Sequence, residues 1–228
     1  MARMDTESIA AEDLFGTASQ ASPRPRRPGR GRPVHVSGYA REARDFYATP
    51  AWVTEALLRH VALRGPVWEP CCGTGAISTV LEQHGHRVVS TDIADHGYGT
   101  PGVDIFARAA MPRGCGALVT NPPYGDSGSH AGQSKSPAAM LRFVSHCLAL
   151  AAPAGAQVAL LVRLQWIAGQ RAAGLMSAAP WTAVIALTHR IRWFEMNERT
   201  NTAQHHHAWV VFDFARAEAA PPALLFAP

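Results

Sequence analysis

Glu69-Pro-Cys-Cys-Gly-Thr-Gly75 sets an acid ahead of a glycine-rich turn, between an apolar strand-like run and a helical one. Glycines at such a turn let the backbone approach a ligand and aim the amides of a helix N-terminus at it. Pro70, Cys72, Gly73 and Gly75 are its candidate binding positions. Glu69 suits a ligand bearing an amino group better than one bearing phosphates. Asp92 closes the next apolar run 17 residues after Gly75, where a carboxylate can accept hydrogen bonds from both hydroxyls of a ribose. A dinucleotide site would want GxGxxG, and this turn reads GTGAIS. A nucleoside without a pyrophosphate is therefore favoured, and S-adenosylmethionine meets those demands.

A second cluster lies 46 residues after Gly75, in ALVTNPPYG. The apolar run stops at Asn121. Pro122 and Pro123 fix φ at about −65° and supply no backbone donor, so they cannot continue an interior strand and instead stiffen the segment beyond it. A third stretch, DFYATP, precedes the first helical run. Taken alone, Thr49 reads as a helix N-cap and Pro50 as a first-turn residue.

These clusters need a scaffold, which the apolar periodicity supplies. PAWVTEALLRHVAL places Trp52, Val53, Ala56, Leu57, His60 and Val61 at helical spacing. PVWEP reads as a short buried strand, GAISTVLEQHG as a helix closed by Gly85, and RVVSTDI as a second strand. GVDIF is read as a third strand, ALVT as a fourth, PAAMLRFVSHCLALAA as a helix and AQVALLVRL as a fifth strand. QWIAGQRAAGLMSAA reads as another helix, TAVIALTHRIRW as a sixth strand and HAWVVFDF as a seventh. The last two are joined too closely for a crossover helix, so they should pair antiparallel. The expected fold is α/β, a doubly wound Rossmann-like sheet of about seven strands with the last antiparallel. AEAAPPALLFAP reads as an unstructured end.

The 228 residues, 47% of them hydrophobic, suffice for one main domain with appendages. The reading divides them into an arm over 1–33, a domain over 34–216 and a tail over 217–228. No uncharged apolar run reaches the roughly 18 residues of a membrane span, and MARMDTESIAAEDLFG lacks the pattern of a signal peptide. A cytoplasmic protein without a membrane partner is expected. Cys71, Cys72, Cys115 and Cys147 form neither a CxxC pair nor a disulfide framework, which fits a reducing compartment. His205-His206-His207 is not expected to hold a metal, because neighbours on a strand point to opposite faces and only His205 and His207 could converge.

The net charge of +4 is unevenly spread: residues 1–21 carry −3, residues 22–33 carry +5 and the remainder +2. The cationic stretch SPRPRRPGRGRP holds Arg24, Arg26, Arg27, Arg30 and Arg32 and has no apolar face to bury, so the free arm should be disordered. Arg30-Gly-Arg-Pro33 resembles the core of an AT-hook, whose arginines lie along a narrow minor groove. A generic cationic tail would also bind an anionic polymer.

In that order, FYATP, EPCCGTG, TDI, GVDIF and NPPY resemble the amino-methyltransferases that act on N6 of adenine in DNA, above all the compact phage and prophage enzymes. The resemblance covers approximately residues 45 to 213. It implies that Tyr47, Thr49 and Pro50 touch the methionine end of S-adenosylmethionine, that Glu69 to Gly75 cradle it, and that Asp92 holds its ribose. Asp104 would hold the adenine amine, with Ile93 packed on the ring and Ile105 a further cofactor contact. The exocyclic amine of adenine is a poor nucleophile, because its lone pair is delocalised into the ring. By resemblance, the Asn121 side-chain oxygen and the Pro122 carbonyl draw it toward tetrahedral geometry. Pro123 keeps these acceptors rigid, and Tyr124 offers a face on which a flipped base stacks. Asn121 also belongs to the implied cofactor contacts. The lone pair then attacks the sulfonium methyl in line, with most of the rate coming from positioning and no metal or cysteine nucleophile required.

Restriction-type relatives carry a large target-recognition domain, whereas only FEMNERTNTAQHH separates the last two strands here. Recognition must then be modest, lie in that connection and the 125–137 loop, or come from a partner. Glu69 stands where many relatives have aspartate, and NPPY where others have DPPY. NPPY also occurs in enzymes that methylate the glutamine amide of release factors and in those that methylate ribosomal RNA bases. FYATP placed just before the first helix and the arginine arm favour nucleic acid, and FYATP favours the DNA group.

Overall fold

In a computed structural model, residues 48–123, 137–193, 205–216 and 221–228 are described. Tyr47, Tyr124, the five arm arginines and the FEMNERTNTAQ connection lie outside them.

Helix α1 (Ala51–Leu58) starts after Pro50, which occupies the N-cap position itself with φ −59° and ψ 145°. β1 (Val67–Glu69) is buried throughout and runs through the glycine turn into α2 (Ala76–Gln83), after which β2 (Val88–Ser90) pairs parallel to β1. β3 (Ala117–Thr120) lies on the other side of β1, also parallel. The chain thus moves outward to β2 and then crosses to β3. Ligands of open α/β sheets bind outside the carboxyl ends of the strands at such a switch point.

After β3 come α3 (Pro137–Ala151), β4 (Gln157–Arg163), the short α4 (Leu164–Ile167) and α5 (Gln170–Ala178). The helix expected over 165–179 is broken around Gly169, whose N–H bonds to Trp166 O. β5 (Trp181–Leu187), β6 (His207–Asp213) and β7 (Ala223–Ala227) complete a seven-stranded sheet in the order β2-β1-β3-β4-β6-β5-β7. β6 is antiparallel to both β4 and β5, as expected, although β5 ends at Leu187 and the stretch 188–206 before β6 is longer than the sequence reading gave.

Two expectations are corrected. GVDIF is not a strand: Asp104 accepts from Phe106 N at 2.9 Å and opens a 3-10 turn over Ile105–Ala107. Only the isolated bridge Thr91↔Thr100 marks the place of a strand beyond β2. The terminus is not unstructured either. Ala223–Ala227 forms β7, parallel to β5, because its backbone satisfies the outer edge of β5 while Leu225 packs against the core.

Strand alternation divides the core into two layers. Val158, Leu160, Val162, Val210 and Phe212 meet Phe143, Val144, Cys147, Leu175 and Met176 from α3 and α5. Ala159, Leu161, Trp209 and Val211 meet Val53, Leu57, Ile77 and Leu81 from α1 and α2. Both faces are covered, which explains near-continuous apolar strands. Trp209 Nε1 donates to Val53 O at 2.7 Å, fixing α1, and hence Thr49 before it, against the centre of the sheet. None of the described helices is long and apolar enough to cross a membrane.

Candidate active site

The turn after β1 is built on two glycines with positive φ, Gly73 at 53° and Gly75 at 83°. Gly75 N donates to Cys72 O at 2.8 Å, and Cys72 N donates to Thr91 O at 3.0 Å, locking the turn to the end of β2. A Cβ on Gly75 would stand 2.6 Å from the Tyr98 ring, so a side chain is barred by contact as well as by conformation.

Asp92 sits beside this turn and is 8% exposed. Its Oδ2 accepts from Gly73 N at 2.9 Å and its Oδ1 from Ala94 N at 2.8 Å. The carboxylate therefore shapes the loop, and each oxygen retains capacity for a further donor. Ile93, next along, is 41% exposed although it is a large apolar side chain lining the pocket. Asp104 approaches from the 3-10 turn, held there because Val103 N donates to Asp92 O at 2.9 Å. Two acids and an uncovered apolar surface suit a nucleoside with a ribose and a ring amine.

Glu69 ends β1 at 1% exposure, and Ser78 Oγ donates to its Oε2. Ser78 Oγ lies 2.6 Å from Ser90 Oγ, so the acid is supported from α2 and β2 together. Burial pushes its carboxyl up to about 8, with the Ser78 hydrogen bond pulling in the opposite direction. A cationic amino group entering the pocket would stabilise the ionised form.

Asn121 comes directly after β3. Its Nδ2 donates to Thr49 Oγ1 at 3.2 Å, while its Oδ1 is buried without a hydrogen-bond partner. Thr49 is 5% exposed and makes no capping bond to α1, so the N-cap reading of this residue is replaced by a contact to the strand end. The amide is oriented nitrogen to threonine, oxygen unpaired. Buried acceptors are nearly always satisfied, so an orphaned one at a pocket marks a place for a donor from a ligand.

One pocket gathers most of the described candidates: Thr49, Glu69, Pro70, Cys72, Gly73 and Asp92, then Ile93, Asp104, Ile105, Asn121, Pro122 and Pro123. Pro50 and Gly75 do not line it; they shape the elements that do. Sequence reading missed His96, Phe106 and Phe143 in the wall. Phe106 and Phe143 meet edge to face with centroids 6.0 Å apart, and the Arg142 guanidinium lies 4.5 Å from the Phe106 centroid. No motif announces them, since Phe143 comes from α3 and Phe106 from a segment expected to be a strand. Cys72 lines the pocket with its thiol pushed up to about 12 by burial, which leaves it a poor nucleophile.

No protein-family model matches the sequence, and no curated protein matches it. Among solved structures, a protein assigned as a class I S-adenosylmethionine-dependent methyltransferase from Listeria monocytogenes is 15% identical at a TM-score of 0.47, covering 78% of this chain and 62% of its own. A protein assigned as a modification subunit of a type I restriction enzyme from Vibrio vulnificus is 13% identical at 0.46, covering 78% of this chain and 49% of its own. A protein assigned as an RNA methyltransferase from Pyrococcus horikoshii is 13% identical at 0.49, covering 78% and 93%. The chain thus spans under two thirds of the first two. At these identities the likeness concerns the fold alone.

Proposed function

We propose that this protein transfers the methyl group of S-adenosylmethionine to the exocyclic amine of adenine in DNA. The observation that carries the reading is the Asn121 amide, held by Thr49 through nitrogen and offering an unpaired buried oxygen to the pocket. That oxygen is the acceptor an exocyclic amine needs if its lone pair is to be drawn out of conjugation, and Pro122 and Pro123 keep it from moving.

The residues present fit the cofactor. Glu69 would receive its amino group, Asp92 its ribose hydroxyls and Asp104 its adenine amine, with Ile93 against the ring. When bound, S-adenosylmethionine supplies an electrophilic methyl on a sulfonium. The chain's own part is to hold the amine acceptor rigid and exclude water with Phe106, Phe143 and the proline pair. Tyr47 and Tyr124 join the site by resemblance. The domain, read from the sequence as 34–216, is taken to extend through β7, and the arm to span 1–33, whose arginines would add affinity for DNA phosphates.

Incubation with labelled cofactor and, separately, unmethylated plasmid, total RNA and a release factor tests the reading. Digestion and mass spectrometry should find N6-methyladenine in the plasmid. Label in RNA bases or in a glutamine amide, with none in DNA, would move the protein to one of those substrate classes.

A further inference from the structure

We propose that Arg163 and Arg190, the latter held by His206, form a contact surface for the phosphodiester backbone of the duplex whose base enters the pocket. The proposal rests on the reading of this protein as a DNA methyltransferase and adds a surface that the folded domain provides apart from its arm.

The sheet brings these residues together at one edge. Because β6 runs against β4 and β5, its first residue lies at the carboxyl ends of both. His207 pairs with Arg163, the last residue of β4, while Ala208 pairs with Ala186, one residue before the end of β5. Arg190 comes three residues after that strand end, and Arg163, Arg190 and His206 are all exposed. The same edge carries the acceptor. Thr120 is level with Leu160 on the adjacent strand, so Arg163 stands within roughly 10 Å of Asn121, given a rise of about 3.3 Å per residue and a strand spacing of about 4.8 Å. Phosphates flanking a base drawn into the pocket must pass close to this rim.

The histidine tract has a use here that needs no metal. Arg190 Nε donates to His206 Nε2 at 3.1 Å, and His206 Nδ1 faces Leu187 O at 3.4 Å. A neutral ring with its proton on Nδ1 satisfies both contacts, and it ties one edge of the guanidinium to the end of β5. Leu164 N donates to His206 O at 2.9 Å, which fixes the histidine backbone to β4 as well. The Nε contact fixes the direction of the guanidinium at the rim, where its charge can meet a phosphate. His205 stands beside the two arginines, and its imidazole is held below its ordinary value by burial first and then by their charges.

The test uses full-length protein and a fluorescein-labelled DNA duplex titrated at several salt concentrations. Wild type is compared with Arg163→Ala, Arg190→Ala, the double variant and His206→Ala, and a melting shift with S-adenosylhomocysteine confirms folding. Each arginine removed should weaken binding several-fold at low salt and lower the slope of log affinity against log salt by about 0.9. His206→Ala should reproduce part of the Arg190 loss in wild type and add nothing in the Arg190→Ala background. A double variant with wild-type affinity and slope would overturn the surface while leaving the methyltransferase reading standing. A wild-type protein that binds no duplex at any salt would remove that reading, and the surface with it.

Discussion

Asn121 Nδ2 donates to Thr49 Oγ1 over 3.2 Å, joining the residue after β3 to one 72 positions earlier that precedes α1. This bond anchors the amide beside the pocket and, in the orientation present, leaves its oxygen without a partner. Thr49→Val keeps the shape and removes the acceptor, so it should lower the methylation rate roughly three- to tenfold, and Thr49→Ser should restore it. Single-turnover rates beside S-adenosylhomocysteine affinities separate this from a cofactor effect. Equal rates in valine and threonine forms would end the positioning role. Asn121→Ala should cost about a hundredfold or more with cofactor binding nearly intact.

Asp92 serves two masters, since both its oxygens already hold backbone N–H groups. Asp92→Ala should weaken S-adenosylhomocysteine binding by roughly 1 to 3 kcal/mol and also lower the melting temperature, because the Gly73 and Ala94 amides lose their acceptors. Calorimetric titration and thermal melting read the two effects separately. A lower melting point with unchanged affinity would make Asp92 scaffold only.

Glu69 and His207 give stability a particular pH profile. Glu69 is raised to about 8 by burial, so its contribution is complete below the unfolded carboxyl value and is lost as pH rises through the folded one. His207 is lowered to about 4, first by burial and then by Arg163, so its contribution is present above its unfolded value and lost as pH falls. Between about pH 4.5 and 6.5 the slopes oppose each other, and above that range stability should decline toward pH 8 by at most about 1.4 kcal/mol per unit. Denaturant melts of the ligand-free protein should show this decline, and Glu69→Gln should abolish it. Calorimetry in buffers of different ionisation enthalpy should detect proton release when S-adenosylhomocysteine binds near pH 7.

Gly75→Ala should destabilise the protein and disable the pocket, since its φ of 83° disfavours a Cβ and the Tyr98 ring occupies the space. The added Tyr98→Ala change should recover only part of the loss, because it removes the contact and leaves the conformation. Full recovery in the double variant would show that φ costs nothing there.

Much of this architecture was legible from residue order. Strand-turn-helix around Glu69 to Gly75 placed the glycine turn beside the pocket, and the antiparallel pairing of HAWVVFDF was expected, although β5 ends at Leu187 and the link before β6 is longer than the sequence reading gave. GVDIF misled because its apolar residues look strand-like. However, the twelve residues between Ser90 and Val103 include Gly97, Gly99, Pro101 and Gly102, and no crossover helix can form from them. β7 escaped notice because ALLFA is apolar at every position, and its partner β5 begins more than forty residues earlier. Asp92 was assigned to a ligand, but its grip on the Gly73 amide depends on how the loops close, which spacing does not encode.

The ladders flanking the site differ greatly in length. β6 is paired along all seven of its residues with β4 and at five positions with β5, whereas β2 is joined to β1 at only three. Amide protons in β4 and β6 should therefore exchange with deuterium only through global opening, while those of β2 and the Thr91–Thr100 bridge exchange through smaller, local excursions. The side of the pocket lined by Asp92 and Ile93 hangs on the weaker side of this gradient. Cofactor would then act as a mechanical splint for β1 and β2, and slowed exchange should be confined to roughly residues 67 to 107, leaving β5 and β6 unchanged.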